Sequence, residues 1–171
     1  LRAALCVCEQ FGCAPPVLVD AVRNYEGVAR RFSVTRTQQN VHVVDDFAHN
    51  PAKIAAVVRA ARGLSGRLIA VYQPHGFGPT RFLKDEYIAT FRTTFGQNDS
   101  LYLLPIYYVG GTAQKNISSE DIIQGLGPVT FNAQALSDRD ELLARLQADA
   151  KPEDCVLIMG ARDPSLPALV R

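Results

Sequence analysis

The chain has 171 residues and a net charge of +1 at pH 7, from 18 basic and 17 acidic residues. Its hydrophobic content of 47% and charged content of 20% are typical of globular proteins and argue against disorder. Without a basic excess or a Lys/Arg cluster, the composition gives no reason to expect nucleic acid or a membrane surface as a partner. No apolar run reaches membrane-spanning length or has the layout of a signal peptide.

In chain order, the apolar pattern predicts helices and strands that alternate after an initial pair of helices. Helices are predicted over residues 1–12, 15–25, 50–61, 80–95, 118–125 and 137–150, with a short one at the end; strands are predicted over 33–37, 41–44, 67–72, 101–106, 129–131 and 155–159. The first two strands suit a hairpin. Repeated strand–loop–helix units predict an α/β fold, a Rossmann-like and mostly parallel sheet with helices on both faces.

Some side chains in these elements are predicted individually. In the helix over residues 80–95, Thr80 is predicted to be the cap, and the inward positions are Phe82, Leu83, Tyr87, Ile88 and Phe91. Pro105 indicates a strand end or an edge strand. Ser118 and Asp121 have the spacing of a capping box.

The cysteines are Cys6, Cys8, Cys13 and Cys155. They lack the CxxC-type spacing or the nearby histidine of a zinc site, so we predict free thiols, with Cys155 buried in its strand. The pattern starts at Leu1 in the middle of a helix, without an initiator methionine. This start indicates a piece of a longer protein.

Residues 41–51 combine a β-branched strand, a polar turn and the start of a helix. Asn50 is suited to cap that helix and Pro51 to its first position. Asp45, Asp46, His49 and Asn50 therefore lie at the carboxyl end of a strand, the edge at which open α/β sheets bind ligands. The loops around His75, Gly110, Gly111 and Gly160 are predicted to converge on the same edge. Because paired Asp and Asn-Pro are also ordinary turn residues, position alone leaves the structural and functional interpretations about equal.

Several common kinds of active site are not supported by the sequence. It has no G-x-x-x-x-G-K-[ST] phosphate loop, no G-x-G-x-x-G after a strand and no G-x-S-x-G nucleophile motif. The remaining candidates are ligand-binding groups. They are carboxylates that can accept hydrogen bonds from ribose hydroxyls, and arginines that can bind phosphate or carboxylate.

Four short strings, in order along the chain, carry a family resemblance. Asp45-Asp46-Phe47-Ala48-His49-Asn50-Pro51 resembles the Asp-Tyr-Ala-His-Asn/His-Pro motif in the C-terminal domain of Mur ligases and folylpolyglutamate synthases. Arg30-Arg31-Phe32, Gln73-Pro74-His75 and Met159-Gly160-Ala161 are similar to further motifs of that domain. The doubled Asp looks most like the branch of the UDP-N-acetylmuramate–L-alanine ligases and murein peptide ligases.

The resemblance implies a division of the chain and a reaction. Residues 1–29 would be the C-terminal helices of a preceding central ATP-binding domain, and residues 30–171 the Mur ligase C-terminal domain. The whole enzyme would be cytoplasmic and serve peptidoglycan biosynthesis. It would use ATP and Mg²⁺ to convert a UDP-muramoyl-type carboxylate into an acyl phosphate, which the amine of an amino acid or peptide attacks. The implied partners are its own N-terminal and central domains, which carry the UDP site, the phosphate loop and most of the Mg²⁺ site.

Position by position, the resemblance also implies binding residues. The nucleotide would be contacted by Arg31, Asp46, His49 and Asn50, with Asp46 acting in binding and not in folding. The carboxylate of the incoming amine substrate would be held by His75 and Arg81. No catalytic residue and no metal ligand of this chain is implied.

Two loops depart from the family pattern. Residues 76–80 separate His75 from Arg81 where the alanine ligase branch has an arginine at once, and residues 108–111 lack the acid of the usual Ala-Gly-Glu. The nucleotide side therefore matches the family, whereas the amine-donor side is altered and favours a different acceptor. The alternative is a non-catalytic nucleotide-binding or interaction module with the same fold.

Overall fold

The structure, a computed structural model, describes residues 2–108 and 110–170. Leu1, where the first helix is predicted to begin, Val109 of the altered loop and the C-terminal Arg171 lie outside the described residues. Six strands form one sheet: β1 (Ser33–Arg36), β2 (His42–Asp46), β3 (Leu68–Tyr72), β4 (Ser100–Leu103), β5 (Asn132–Ala135) and β6 (Cys155–Met159). Their spatial order is β1-β2-β6-β3-β4-β5. β1 and β2 form the predicted antiparallel hairpin, and all other neighbours are parallel.

Seven α-helices accompany this sheet in the described residues, and helices after β2 cover both of its faces. They are α1 (Arg2–Gln10), α2 (Pro15–Arg23), α3 (Pro51–Ala61), α4 (Phe77–Phe82), α5 (Lys84–Thr94), α6 (Ser119–Leu126) and α7 (Arg139–Asp149), with a 3-10 helix at Leu166–Val170. The apolar sides of α3, α5 and α6 pack on one face, whereas α7 and the 3-10 helix pack on the other. The predicted fold class is therefore confirmed. Among the described residues, no helix is long and apolar enough to cross a membrane.

Local sequence signals explain where several helices begin. The Asn50 side chain accepts a hydrogen bond from Lys53 N at 3.0 Å, and Pro51 takes the first helical position. Ser118 and Asp121 form the predicted capping box. In each case a side chain satisfies a backbone N–H that the helix itself leaves unpaired. β3 and β6 are buried along their whole length, in agreement with their unbroken apolar runs.

Three details of the prediction are wrong. β5 runs over Asn132–Ala135, after the predicted strand, because Phe131 is used in the core, where it packs on Phe95 at 5.5 Å between ring centroids. The helix predicted over residues 80–95 is two helices, with Thr80 buried inside the first and not capping it. The break at Leu83 changes the helical register. For that reason Phe82 is 85% exposed although its spacing predicts an inward position.

The α1–α2 pair remains largely uncovered. α1 buries no side chain, and α2 buries only Leu18. Several large apolar side chains of this region are exposed, among them Val7, Phe11 and Val17. These helices therefore pack mainly on each other and not on the sheet. This agrees with the proposal, still a prediction, that residues 1–29 belong to a neighbouring domain.

A buried carboxylate organises the opposite, amino-terminal edge of the sheet. Asp99 accepts hydrogen bonds from both terminal nitrogens of the Arg62 guanidinium, one at 2.8 Å, and its side chain is 1% exposed. It also accepts backbone hydrogen bonds from Leu68 N at 2.9 Å and Gly96 N at 2.7 Å. Asp99 therefore joins α3, the start of β3 and the turn before β4 through one side chain.

Thiol labelling provides a first test of this packing. Cys6 and Cys13 are exposed and Cys8 is half-buried, whereas Cys155 is fully buried. Burial raises the pKa of the Cys155 thiol to about 11, and the thiolate is the reactive form. We expect a thiol reagent to label three cysteines in the native chain and the fourth only in denaturant. Labelling of Cys155 at the same rate as Cys6 would contradict the structure.

Candidate functional site

The carboxyl ends of β2, β6 and β3 meet at one level on the sheet edge. In the strand register, Asp46 pairs with Met159, which in turn pairs with Tyr72. Gly160 follows at the centre of this edge. A side chain at position 160 would bring its Cβ within 2.7 Å of Leu166 Cδ2 and 3.3 Å of Gln73 O, so only glycine fits the observed packing. The predicted convergence of the loops is confirmed for these three strands.

The segment before β1 is fixed to this edge by Arg30. Its Nε lies 3.3 Å from Asp45 Oδ1, and its Nη2 donates to Gly160 O at 2.5 Å. Arg30 and Phe32 have left-handed φ values of 58° and 56°, which are uncommon for residues other than glycine. The guanidinium–carboxylate contact holds this strained turn, which leads directly into the hairpin.

Asp46 has a structural role that the sequence does not predict. Its Oδ2 accepts a hydrogen bond from Phe32 N at 2.8 Å, and its Oδ1 accepts one from Ala48 N at 2.7 Å. The carboxylate thus joins the turn after β2 to the strained segment at Phe32. The expectation that Asp46 has no role in folding is therefore wrong. Its binding role stays a prediction, because each carboxylate oxygen can accept a second hydrogen bond.

His49 and Asn50 occupy the turn between Asp46 and α3. The His49 ring contacts its own turn, with Nδ1 2.9 Å from Phe47 O. Its backbone carbonyl accepts hydrogen bonds from the hydroxyls of Tyr72 at 3.2 Å and Tyr87 at 2.9 Å. This buried tyrosine pair fixes the height of the turn above the sheet. The side chains of His49 and Asn50 are consequently held on the same edge as Asp46, as predicted.

His75 is brought beside His49, with ring centroids 5.6 Å apart. Its Nδ1 is buried and has no hydrogen-bond partner among the described residues. Burial lowers the pKa of His75, and the nearby charges of His49 and Arg162 lower it further. Near neutral pH the ring is therefore uncharged, and it can hydrogen-bond to a ligand without supplying positive charge.

Both predicted arginines, Arg31 and Arg81, remain accessible. Arg31 is exposed, and its guanidinium carbon lies 5.0 Å from the centroid of the Phe47 ring. Arg81 on α4 is also exposed and donates a hydrogen bond to the Asn116 side chain in the loop after β4. The structure thus places Arg31 by the turn that holds Asp46. His75 lies next to His49, whereas Arg81 is hydrogen-bonded to the loop after β4.

A cleft of about 500 Å³ lies beside this group, beyond the ends of β3 and β4. Its lining includes Gln73, Phe77, Tyr108, Lys115 and Arg139. The loops after β3 and β4 are joined here, because Tyr107 N donates to Pro74 O at 2.8 Å and Tyr107 O accepts from Gly76 N at 2.9 Å. Gln73 stands in one of the sequence motifs, and Phe77 and Tyr108 in the two altered loops, but the sequence does not single out Lys115 or Arg139. The only signal was the departure of both loops from the family pattern.

The fold and the site together define the class of protein: an α/β domain with a Rossmann-like sheet that gathers carboxylate, imidazole and guanidinium groups at its ligand-binding edge. Residues 30–162 match the family described as the Mur ligase, glutamate ligase domain. The chain therefore belongs to the Mur ligase family, as its four sequence motifs predict.

Individual relatives agree with this assignment. The UDP-N-acetylmuramate–L-alanine ligase of Xanthobacter autotrophicus is 35% identical over 93% of this chain, and that of Agrobacterium fabrum is 33% identical over the same share. The chain spans only about a third of the length of these relatives. The structure of MurF ligase from Thermotoga maritima in complex with ADP superposes with a TM-score of 0.67 at 17% identity, covering 98% of this chain and 35% of that one. The last comparison supports the fold alone.

Proposed function

We propose that the chain is the C-terminal domain of an ATP-dependent Mur-type amide ligase. The enzyme joins an amino acid or peptide to a UDP-muramoyl-type carboxylate in two steps. Transfer of the terminal phosphoryl group of ATP to the carboxylate gives an acyl phosphate and ADP, and attack by the amine then forms the amide and releases phosphate. The main support for this proposal is the family match over residues 30–162. In addition, the side chains of the motifs lie together at one edge of the sheet.

The nucleotide side of the proposal rests on four side chains. Asp46 has hydrogen-bonding capacity left for ribose hydroxyls, and the Asn50 side-chain NH₂ group is a donor beside it. The exposed guanidinium of Arg31 suits a phosphate, to which an arginine can donate two hydrogen bonds. His49 lies on the same turn as Asp46 and Asn50. The domain accordingly contributes orientation and charge to ATP binding, and it supplies no phosphate loop.

Magnesium belongs to the rest of the proposed enzyme. Within residues 2–108 and 110–170, no three His, Cys, Asp or Glu side chains are grouped so that they could hold a metal ion. We therefore assign most of the Mg²⁺ site to the central domain, to which the family resemblance also gives the phosphate loop. We likewise assign residues 1–29 to that domain and place the whole enzyme in the cytoplasm, where UDP-linked precursors and ATP occur together.

The proposal is tested by assaying the full-length protein. We expect continuous ADP release to require both UDP-N-acetylmuramate and an amine donor, because the acyl phosphate formed in the first step is turned over only when the amine attacks it. Mass spectrometry should detect the amide product. A full-length protein that binds ATP but forms no amide with any donor would support the alternative, a non-catalytic nucleotide-binding module.

The 171-residue chain alone is expected to have no ligase or ATPase activity. It carries no phosphate loop, and without that loop and its lysine nothing holds and neutralises the transferring phosphoryl group. The measurement is ADP release by the purified chain at saturating ATP and Mg²⁺. ADP release above the buffer blank that persists after contaminating ATPases have been removed would refute the expectation.

A further inference from the structure

We propose that Cys8 and Cys13 form a redox-active dithiol, a modification site at which a low-molecular-weight disulfide oxidises the two thiols to an intramolecular disulfide bond. The pair lies at the end of α1, outside the ligand-binding edge of the sheet, and the inference is independent of the proposed function. It rests on the backbone that joins the two residues and on the exposure of their side chains.

The end of α1 has the hydrogen bonds of a Schellman motif. Cys13 N donates to Cys8 O and Gly12 N donates to Glu9 O, both at 3.0 Å. Gly12, the residue between them in the motif, has a left-handed φ of 80°. This is the arrangement that commonly ends a helix, with glycine at the position where other residues are disfavoured. The backbone around the two cysteines is therefore fixed by two hydrogen bonds and not only by their closeness in sequence.

This motif brings the two cysteines together. With standard backbone bond lengths, the hydrogen bond from Cys13 N to Cys8 O limits the distance between their Cα atoms to about 7 Å. A disulfide needs backbone movement only where the Cα atoms are more than about 7 Å apart. Side chains at these two positions of the motif also commonly contact each other. Cys8 and Cys13 are therefore the cysteines that the backbone places for pairing.

The other two cysteines are placed differently. Cys6 precedes Cys8 by two residues on the same helix, and side chains two residues apart do not face each other. Cys155 is buried in β6. Cys13 is exposed, whereas Cys8 is half-buried and lines the apolar groove between α1 and α2. A reagent therefore reaches Cys13 first, and Cys8 is the neighbour that resolves the product.

The oxidation consists of two thiol–disulfide exchanges. The Cys13 thiolate attacks one sulfur of the small disulfide, which forms a mixed disulfide and releases a thiolate. The Cys8 thiolate then attacks the Cys13 sulfur, which forms the Cys8–Cys13 bond and releases a second thiolate. The two cysteines give two electrons to the small disulfide, and their two protons end on the two released thiols. An excess of the small thiol reverses both steps.

The bond would stabilise a part of the chain that has little tertiary support. α1 buries no side chain, so its last turn belongs to the kind of structure that opens locally at a low free-energy cost. Cys13 lies in the short connection that leads to Pro15, the first residue of α2. Oxidation would therefore hold the last turn of α1 closed and fix the junction between the two helices.

The test treats the full-length protein with oxidised glutathione in an excess of reduced glutathione, so that thiols without a partner return to the reduced form. Remaining thiols are alkylated, and the protein is cut with trypsin and then after Glu9, which separates Cys8 from Cys13. We expect mass spectrometry to find these two peptides joined, with the loss of two hydrogen atoms and no bound glutathione. Amide hydrogen exchange of residues 11–13 should slow roughly tenfold in the oxidised form.

Cys6→Ser is the matched control, because it makes the same substitution on the same helix outside the motif. It should leave the joined fraction unchanged, whereas Cys8→Ser should lower it roughly tenfold or more, because Cys13 then has no neighbouring thiol at high effective concentration. Wild-type protein denatured in urea should also pair roughly tenfold less at the same glutathione ratio. If Cys6→Ser abolishes the joined peptides, or if native and denatured protein pair equally, the inference is wrong. Either result leaves the proposed function untouched.

Discussion

Asp99→Ala is expected to lower the free energy of unfolding by about 2–4 kcal/mol, because each buried N–H group that loses its acceptor costs about 1–3 kcal/mol and the ion pair with the partly exposed Arg62 side chain is lost as well. The Arg62 guanidinium would be left without its carboxylate, and the backbone N–H groups of Leu68 and Gly96 would lose their acceptor. Since domains are stable by only about 5–15 kcal/mol, much of the stability of the chain depends on this side chain. Urea denaturation of the 171-residue chain measures the effect.

The control for this substitution is Asp85→Ala. Asp85 is exposed in the first turn of α5, where a carboxylate contributes about 0.3–1 kcal/mol through the helix dipole. Its urea midpoint should therefore fall much less than that of Asp99→Ala. Equal shifts for the two variants would show that Asp99 does not organise the amino-terminal edge.

The same carboxylate predicts a pH dependence. Burial alone raises the pKa of Asp99, but the hydrogen bonds from Arg62, Gly96 N and Leu68 N outweigh it, and the net pKa is lowered. Because the folded pKa lies below the unfolded value of about 3.9, the stabilisation is present above that pH and is lost as the pH falls towards the folded value. Acid unfolding of the wild type should therefore include a component that the Asp99→Ala variant lacks.

The parts of the fold that the sequence predicts well are those with strong local signals. β6 and β3 are unbroken apolar runs, and the residues that begin α3 are a capping asparagine and a proline. Such features act within a few residues and do not depend on distant contacts. They were sufficient for the fold class and for the order of the elements.

The errors lie where tertiary contacts override local preference. β5 has the sequence Asn-Ala-Gln-Ala, without a β-branched residue, and it is a strand because its backbone pairs with β4 at the sheet edge. Phe131, which looks like a strand residue, instead fills a gap beside Phe95. The break at Leu83 has no proline or glycine to mark it. No helical-periodicity argument could have placed Phe82 in solvent.

For the site, the sequence predicted where the residues lie but not the contacts that they make. Parallel strands must bring their carboxyl ends to one edge, so the shared location of Asp46, His49, Asn50 and His75 followed from topology. The hydrogen bonds of Asp46 depend on loop conformation, which the residue pattern does not predict. Lys115 lies in a loop of Gly, Thr, Ala and Gln with no periodicity. Only the folded chain shows that it stands over the Tyr108 ring.

Asp46→Asn should raise the KM for ATP of the full-length enzyme roughly ten- to a hundredfold, because a hydrogen bond to a charged group is worth about 1.5–3 kcal/mol and 1.4 kcal/mol is about tenfold. It should also lower the Tm. The asparagine NH₂ would face Phe32 N or Ala48 N, and leaving one of these donors unpaired costs about 1–3 kcal/mol. In a chain of this size, each kcal/mol corresponds to roughly 2–4 °C. Steady-state kinetics and a thermal melt of the same preparation give both values.

Two further variants separate binding from folding. Asp45→Asn breaks the contact with Arg30, so it should lower the Tm by a comparable amount while leaving the KM for ATP nearly unchanged. Arg31→Gln removes an exposed guanidinium whose described contact is the Phe47 ring, so it should raise the KM with little change in Tm. If Asp46→Asn and Asp45→Asn lower the Tm alike and neither alters the KM for ATP, Asp46 is a turn residue only. The ribose contact would then have to come from another group on this edge, such as the Asn50 side chain.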